Sequence, residues 1–257
     1  MTALAGIVSY LDAELRSSEI PDYDAALNGL QLGNAGSVTR VAAAVDYSAM
    51  TIKAALKERA DLLIVHHGMF WRGAHPIVDV AYERLKQALA GGLAIYSSHI
   101  PLDLHPTYGN NVLLAKELGL APDSAFGKFR GVEIGVSGAG DVATDALAER
   151  VRRFSSPFRT TLVCTTIPSG HRTKRWAIIT GAGANSSTLA EARERGVDAL
   201  IVGEGTHHTA VEAMEAGLVL MYAGHYATET LGVRALADHV ASRFAVSSVF
   251  VDIPTGL

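Results

Sequence analysis

The chain repeats itself, and this limits its fold more than any other feature. Residues 40–44 (Arg-Val-Ala-Ala-Ala) resemble 175–179 (Arg-Trp-Ala-Ile-Ile), 60–65 resemble 197–202, and 90–96 resemble 215–222. Three matches in one order, at an offset of about 125–137 residues, point to two related halves. Leu62-Leu63-Ile64-Val65 is apolar without alternation, the pattern of a strand buried on both faces. Strands alternating with helices along the chain predict two related α/β halves with mostly parallel sheets and a pseudo-two-fold internal repeat. The boundary is expected at 1–125 and 126–257, with no large inserted domain. An approximate two-fold would bring equivalent strand ends together, with a shared site between the halves.

Leu4, Ile7, Val8, Leu11 and Leu15 recur at helical spacing behind Thr2, an expected N-cap. In the first half, strands are expected at 38–45, 62–65 and 93–96. Helices are expected at 48–59, from Pro76 onward and at 110–118. The middle departs from this rhythm, with strands at 132–136 and 161–165 around a helix at 144–154. Strands at 176–180, 200–202, 218–222 and 249–251 then alternate with helices at 187–195, 207–215 and 228–244.

The 257 residues are 49% hydrophobic and 19% charged, the balance of a packed globular protein. The net charge of -4 gives no electrostatic reason to expect nucleic acid as a partner. Cys164 alone excludes a disulfide framework and a Cys-only zinc site. No run approaches the roughly 20 apolar residues of a membrane helix. Met1-Thr2-Ala3-Leu4 has no basic segment leading into an apolar run, so a cytoplasmic protein is expected.

Ligands of parallel α/β sheets bind beyond the carboxyl ends of the strands. His66-His67 follow one expected strand, and Ser97-Ser98-His99 with Asp103 follow the next. Gly203-Glu204, then His207-His208, follow a strand of the second half, and Ala223-Gly224-His225 with Glu229 follow another. His99…Asp103 and His225…Glu229 occupy equivalent repeat positions. A carboxylate four residues after a histidine reaches the same ion when the intervening chain is helical. Imidazole and carboxylate together suit zinc, iron or manganese. Five or six such groups exceed what one tetrahedral zinc needs, and fit two ions about 3.5–4 Å apart. A lone histidine after a strand is ordinarily solvated; four coincident strand ends are not so dismissed. His66 and His67 are neighbours on an extended chain, so they serve one site only if the backbone bends there.

Three segments carry a resemblance to a known family. They are Asp61-Leu62-Leu63-Ile64-Val65-His66-His67-Gly68-Met69-Phe70-Trp71, Ser98-His99-Ile100-Pro101-Leu102-Asp103 with Gly109-Asn110-Asn111, and Gly224-His225-Tyr226-Ala227-Thr228-Glu229. Asn28-Gly29-Leu30-Gln31-Leu32-Gly33 matches a further family segment. The chain resembles the YbgI-like, or Nif-three-like, dinuclear metal-centre proteins, labelled type 2 homologues of GTP cyclohydrolase I. The resemblance implies His66, His67, Asp103, His225 and Glu229 as metal ligands, with His99 a further ligand or the partner of one. It also implies two divalent ions and a homohexameric ring. Gly68 stands where many members carry proline.

These readings lead to a metal-dependent hydrolase that activates water against an electrophilic carbon of a small molecule. The family label suggests a purine nucleotide, the ring of GTP opening with loss of formate. His99, His207 or His208 would shuttle protons. The rival is a non-enzymatic metal-binding ring: a scaffold, metallochaperone or regulatory partner. Gly181-Ala182-Gly183-Ala184-Asn185-Ser186 reads as a tight turn more readily than as a phosphate loop. Asp46 either orients a ligand or caps the following helix.

Overall fold

The computed structural model describes residues 2–73 and 75–257. The first elements are β1 (Thr2–Ala3), α1 (Leu4–Glu14), β2 (Gly29–Leu32), β3 (Ser37–Val38), β4 (Arg40–Asp46), α2 (Ala49–Lys57), β5 (Leu62–His67), α3 (Asp79–Ala90) and β6 (Ala94–Ser97). Then come α4 (Ile100–Asp103), α5 (Asn110–Glu117), β7 (Ser124–Phe129), β8 (Val132–Ala143), α6 (Thr144–Ser155) and β9 (Val163–Cys164). The chain ends with β10 (Arg172–Ile179), α7 (Ser186–Glu194), β11 (Ala199–Val202), α8 (His207–Glu215), β12 (Val219–Tyr222), α9 (His225–Phe244) and β13 (Ser247–Phe250).

Two compact units result: Met1–Tyr108 with Gly232–Ile253, and Gly109–Leu231 with Pro254–Leu257. The division thus falls before residue 125, and a C-terminal stretch returns to the first unit. Two pairings draw it back. β13 joins the first sheet in parallel beside β4, and Val233, Leu236, Ala237 and Val240 of α9 pack with Leu4, Ile7 and Leu11 of α1.

The first unit holds a five-stranded sheet in the order β13-β4-β5-β6-β2. Its four leading strands are parallel, and β2 closes the edge antiparallel to β6. Side chains alternate across it. Val41, Ala43, Leu62, Ile64, Ala94 and Tyr96 face α1 and α9, whereas Ala42, Ala44, Leu63, Val65 and Ile95 face Ile52 and Ala55 of α2 and Ala88 of α3. Burial on both faces explains the unbroken apolar run of β5.

The second unit holds a six-stranded sheet, β7-β8-β10-β11-β12-β9. Only β10, β11 and β12 are parallel; β7, β8 and β9 run antiparallel to their neighbours. The expectation of mostly parallel sheets therefore holds for the first sheet and for the centre of the second. The departure comes from a hairpin. Arg130 and Gly131 between β7 and β8 both have positive φ (45° and 90°), as a two-residue hairpin turn requires. Arg-Gly is a poor signal for such a turn, and Gly127 interrupts the apolar pattern of β7.

The repeat is structural. Asp61 Oδ2 accepts hydrogen bonds from the N–H groups of Thr39 (2.6 Å) and Arg40 (3.1 Å), tying down the start of β4. Asp198 Oδ2 does the same for Lys174 (2.7 Å) and Arg175 (2.8 Å) at β10. These aspartates precede equivalent central strands.

Local differences have local causes. α3 starts at Asp79, not Pro76, with Val78 extended as its N-cap residue (φ -130°, ψ 167°). Thr2 does not cap α1; it pairs with Val38 in a short ladder, and Ala3 precedes the helix without a side-chain cap. Ser48 does cap α2, accepting from Thr51 N at 3.1 Å. Among the described residues, no helix is long and apolar enough to cross a membrane.

Candidate metal centre

In the first unit, β5 outlasts one of its neighbours. Its pairing with β6 ends at Val65 opposite Ser97, while β4 continues alongside to place Asp46 opposite His67. His66 and His67 both lie at this end and are buried. Their ring centroids are 5.0 Å apart, and that of His99 is 4.8 Å from His66 and 5.7 Å from His67. One ring nitrogen from each of the three lies within 4.8 Å of the others. Regular alternation would separate adjacent side chains, so the close rings mark a departure from the flat pleat. Asp103 ends the single turn of α4 after His99, and its Oδ2 is 3.6 Å from His66 Nε2.

The second ring nitrogen fixes each imidazole. His66 Nδ1 is 3.0 Å from the Ser98 carbonyl oxygen. His67 Nδ1 is 2.8 Å from Asp46 Oδ1, and His99 Nδ1 is 2.8 Å from Asp22 Oδ1. These partners only accept, so each Nδ1 donates and each ring is oriented by that bond. An imidazole held through Nδ1 in this way would meet a metal ion through Nε2.

Asp22 and Asn28 support His99 from the loop before β2. Asp22 Oδ2 accepts from Asn28 Nδ2 (2.8 Å) and from Ile100 N (2.9 Å), and Asn28 Oδ1 accepts from His99 N (2.8 Å). Burial would raise the Asp22 carboxyl, but His99 and Asn28 outweigh it and hold it below the usual range. Gln31 straps the chain after His67: its Oε1 accepts from Met69 N at 2.6 Å, and its Nε2 donates to the Ala26 and Leu27 carbonyls. A β-carbon on Gly68 would overlap the Gln31 amide, so a side chain here would require this strap to shift.

In the second unit, His225 opens α9 and Glu229 stands one turn later, with Nε2 3.1 Å from Oε2. Glu204, just beyond β11, holds His225 Nδ1 at 2.8 Å. Burial would lower the His225 pKa, but the Glu229 and Glu204 carboxylates overcome it and push it up to about 10. Gly181 has φ +65°, and a β-carbon there would overlap Glu229 Oε1 and stand 3.4 Å from His225 Nε2. A glycine therefore keeps a cradle open beside this pair.

The donors fit a metal. The first unit supplies three imidazoles and a carboxylate, the second an imidazole and a carboxylate, and both sets suit zinc, iron or manganese.

Other expected residues fall elsewhere. His207 and His208 are exposed on the first turn of α8, where the Thr206 hydroxyl lies 3.0 Å from His208 Nδ1. The 181–186 segment is a turn whose Asn185 side chain caps α7, accepting from Thr188 N at 3.0 Å. Asp46 orients His67, while Ser48 takes the capping role. Cys164 is half-buried beside the second unit's core, and burial pushes its thiol up to about 11. Sequence reasoning missed Asp22: it sits in an aperiodic loop, and its only signal was nearby Asn28 in the family-like segment.

Comparison with known proteins agrees with the fold. A "GTP cyclohydrolase 1 type 2 homolog" of Deinococcus radiodurans is 37% identical over 254 residues, covering 98% of this chain and 93% of the relative. A solved structure of protein ybgI, of unknown function, matches with a TM-score of 0.89 at 31% identity over 100% of both chains. A crystal structure of a Thermus thermophilus protein matches with a TM-score of 0.86 at 36% identity, again over 100% of both. Residues 2–255 match the family model Duf34/NIF3 (NGG1p interacting factor 3), and the chain belongs to that family.

Proposed function

We propose that this protein is a dinuclear metal-dependent hydrolase, with His66, His67, Asp103, His225 and Glu229 as the ligands of two divalent ions. One observation carries the reading. Four histidines (His66, His67, His99 and His225) each have Nδ1 held by a carbonyl or carboxylate oxygen. A set of imidazoles oriented this way is what metal ligation needs and what core packing does not. Iron, manganese or zinc bound there would supply Lewis acidity and lower the pKa of water toward neutrality.

The chain's own groups would manage protons and position. His99 would accept and return a proton at Nε2 while Asp22 steadies the imidazolium through Nδ1. His207 and His208 face solvent, and we assign them no step. The substrate is a small molecule with an electrophilic carbon. The names of the relatives favour a purine nucleotide, opened at its imidazole ring with release of formate. The assembly proposed is a homohexamer. Its support is the exposed apolar set Met50, Val78, Val80, Tyr82 and Leu89 on and beside α2 and α3. Light scattering on the eluted protein reads this directly, and a monomer would refute it.

The test of activity is formate release from GTP and other purine nucleotides by protein loaded with iron, manganese or zinc. Turnover should fall about 10²–10⁴-fold in His99→Gln with metal content unchanged. No turnover with any of the three metals would overturn the hydrolase and leave the metal-binding scaffold or metallochaperone.

A further inference from the structure

Beyond the imidazoles of the first unit lies a pocket of about 180 Å³ whose chemistry the centre does not explain. Its wall includes Tyr47, His67, Trp71, Arg72, His75 and Arg84. It opens at the carboxyl ends of β4 and β5, where ligands of parallel sheets bind. Arg84 reaches it from α3. The guanidinium carbon stands 5.3 Å over the Tyr47 ring, and Nη1 makes only a long 3.4 Å contact with the Tyr47 carbonyl. Its Nε is buried without a hydrogen-bond partner. Among the described residues, neither Arg84 nor Arg72 forms an ion pair with a carboxylate. The acid in the lining, Asp46, is engaged by His67 at 2.8 Å.

A guanidinium group with a buried, unused donor and no counter-ion is costly to keep. Its planar fork matches two oxygens of a phosphate or carboxylate. Trp71 adds a second element. Its ring centroid is 4.7 Å from that of His67 and 4.6 Å from that of His99, so it joins the pocket to the imidazoles. Trp71 remains 38% exposed, which leaves area for a planar ligand to cover.

We infer that this pocket is an anion subsite, in which Arg84, aided by Arg72, binds the phosphate of a phosphorylated substrate whose reacting end lies toward His67. The inference rests on the hydrolase reading for what the substrate undergoes, but phosphate recognition by Arg84 stands without it. It identifies the substrate class as a phosphate ester bearing a planar group.

The test compares binding of guanosine 5′-monophosphate, guanosine and inorganic phosphate by calorimetry, on the protein as purified and after chelator treatment. The nucleotide should bind at least tenfold tighter than the nucleoside in both preparations. In Arg84→Met the preference should shrink to within about threefold, with Arg84→Lys between, while metal content stays that of the wild type. An unchanged preference in Arg84→Met would overturn the inference, as would a wild-type protein that binds neither phosphate nor the nucleotide. A preference that vanishes on chelation assigns the anion to the metal instead and also overturns it. Preference retained in a protein that takes up no metal either as purified or after reconstitution with iron, manganese and zinc would sink the hydrolase reading alone.

Discussion

The Asp46 carboxylate lies 2.8 Å from His67 Nδ1, and the two residues face each other across neighbouring strands. The contact is a consequence of register: parallel pairing of β4 with β5 sets residue 46 opposite residue 67. Glu204 and His225 make the same contact, also at 2.8 Å, in the second unit. Asp46 is thus delivered by a strand and Glu204 by the chain just beyond one, whereas Asp22 reaches His99 from a loop.

Removing an orienting acid should weaken metal binding without unfolding the protein. For Asp22→Asn and Asp46→Asn we expect a loss of about 10–100-fold in metal affinity. Competition with a chromogenic chelator measures it, and circular dichroism checks the fold. Affinity unchanged in both variants would mean that these carboxylates do not tune the imidazoles.

Gly181 should be intolerant of any side chain. Its positive φ costs an alanine roughly 1–2 kcal/mol, and the added methyl group would displace the Glu229 carboxylate. Gly181→Ala is therefore expected to lose metal as well as thermal stability. The control is Gly170→Ala, also at positive φ (70°) but with open space around it. It should lose stability alone, and equal metal content in the two variants would contradict the cradle.

Asp61 should make the fold sensitive to acid. Burial would raise its carboxyl, but hydrogen bonds from the Thr39 hydroxyl and the Thr39 and Arg40 N–H groups outweigh it and lower the pKa. A pKa lower in the folded than in the unfolded chain stabilises the fold above the ordinary carboxylate value of about 4. That contribution is lost as pH falls through the folded value. Solvent screens this partly exposed carboxylate, so the stability gap between wild type and Asp61→Asn should be at most about 1 kcal/mol at pH 7 and shrink below about pH 4. Urea melts at both pH values read it, and a gap that widens in acid would contradict the sign.

What the sequence carried and what it hid have physical reasons. The central strands were legible because burial on both faces forces unbroken apolar runs, as at Leu62 to Val65 and Leu200 to Val202. The motif histidines and carboxylates were legible because strand ends are where such groups collect. The β7–β8 hairpin was hidden because its turn uses Arg130 with Gly131 and its strand carries Gly127 at φ +78°. Gly181 read as part of a plain tight turn, since the sequence does not reveal that Glu229 needs the space. In the repeat, Gly181 and Gly203 stand where the first half has Asp46 and His66. The two halves therefore kept their strands but diverged at the strand ends. Asp22 and Gln31 act through loop geometry that no periodicity encodes.

The central claim is that these side chains hold two ions. Elemental analysis of metal per chain tests it most directly, on protein purified without chelator, for wild type, His66→Ala and Glu229→Ala. The account predicts about two ions per wild-type chain and a clear fall in each variant. Little or no metal in the wild type, even after reconstitution with iron, manganese and zinc, would contradict it.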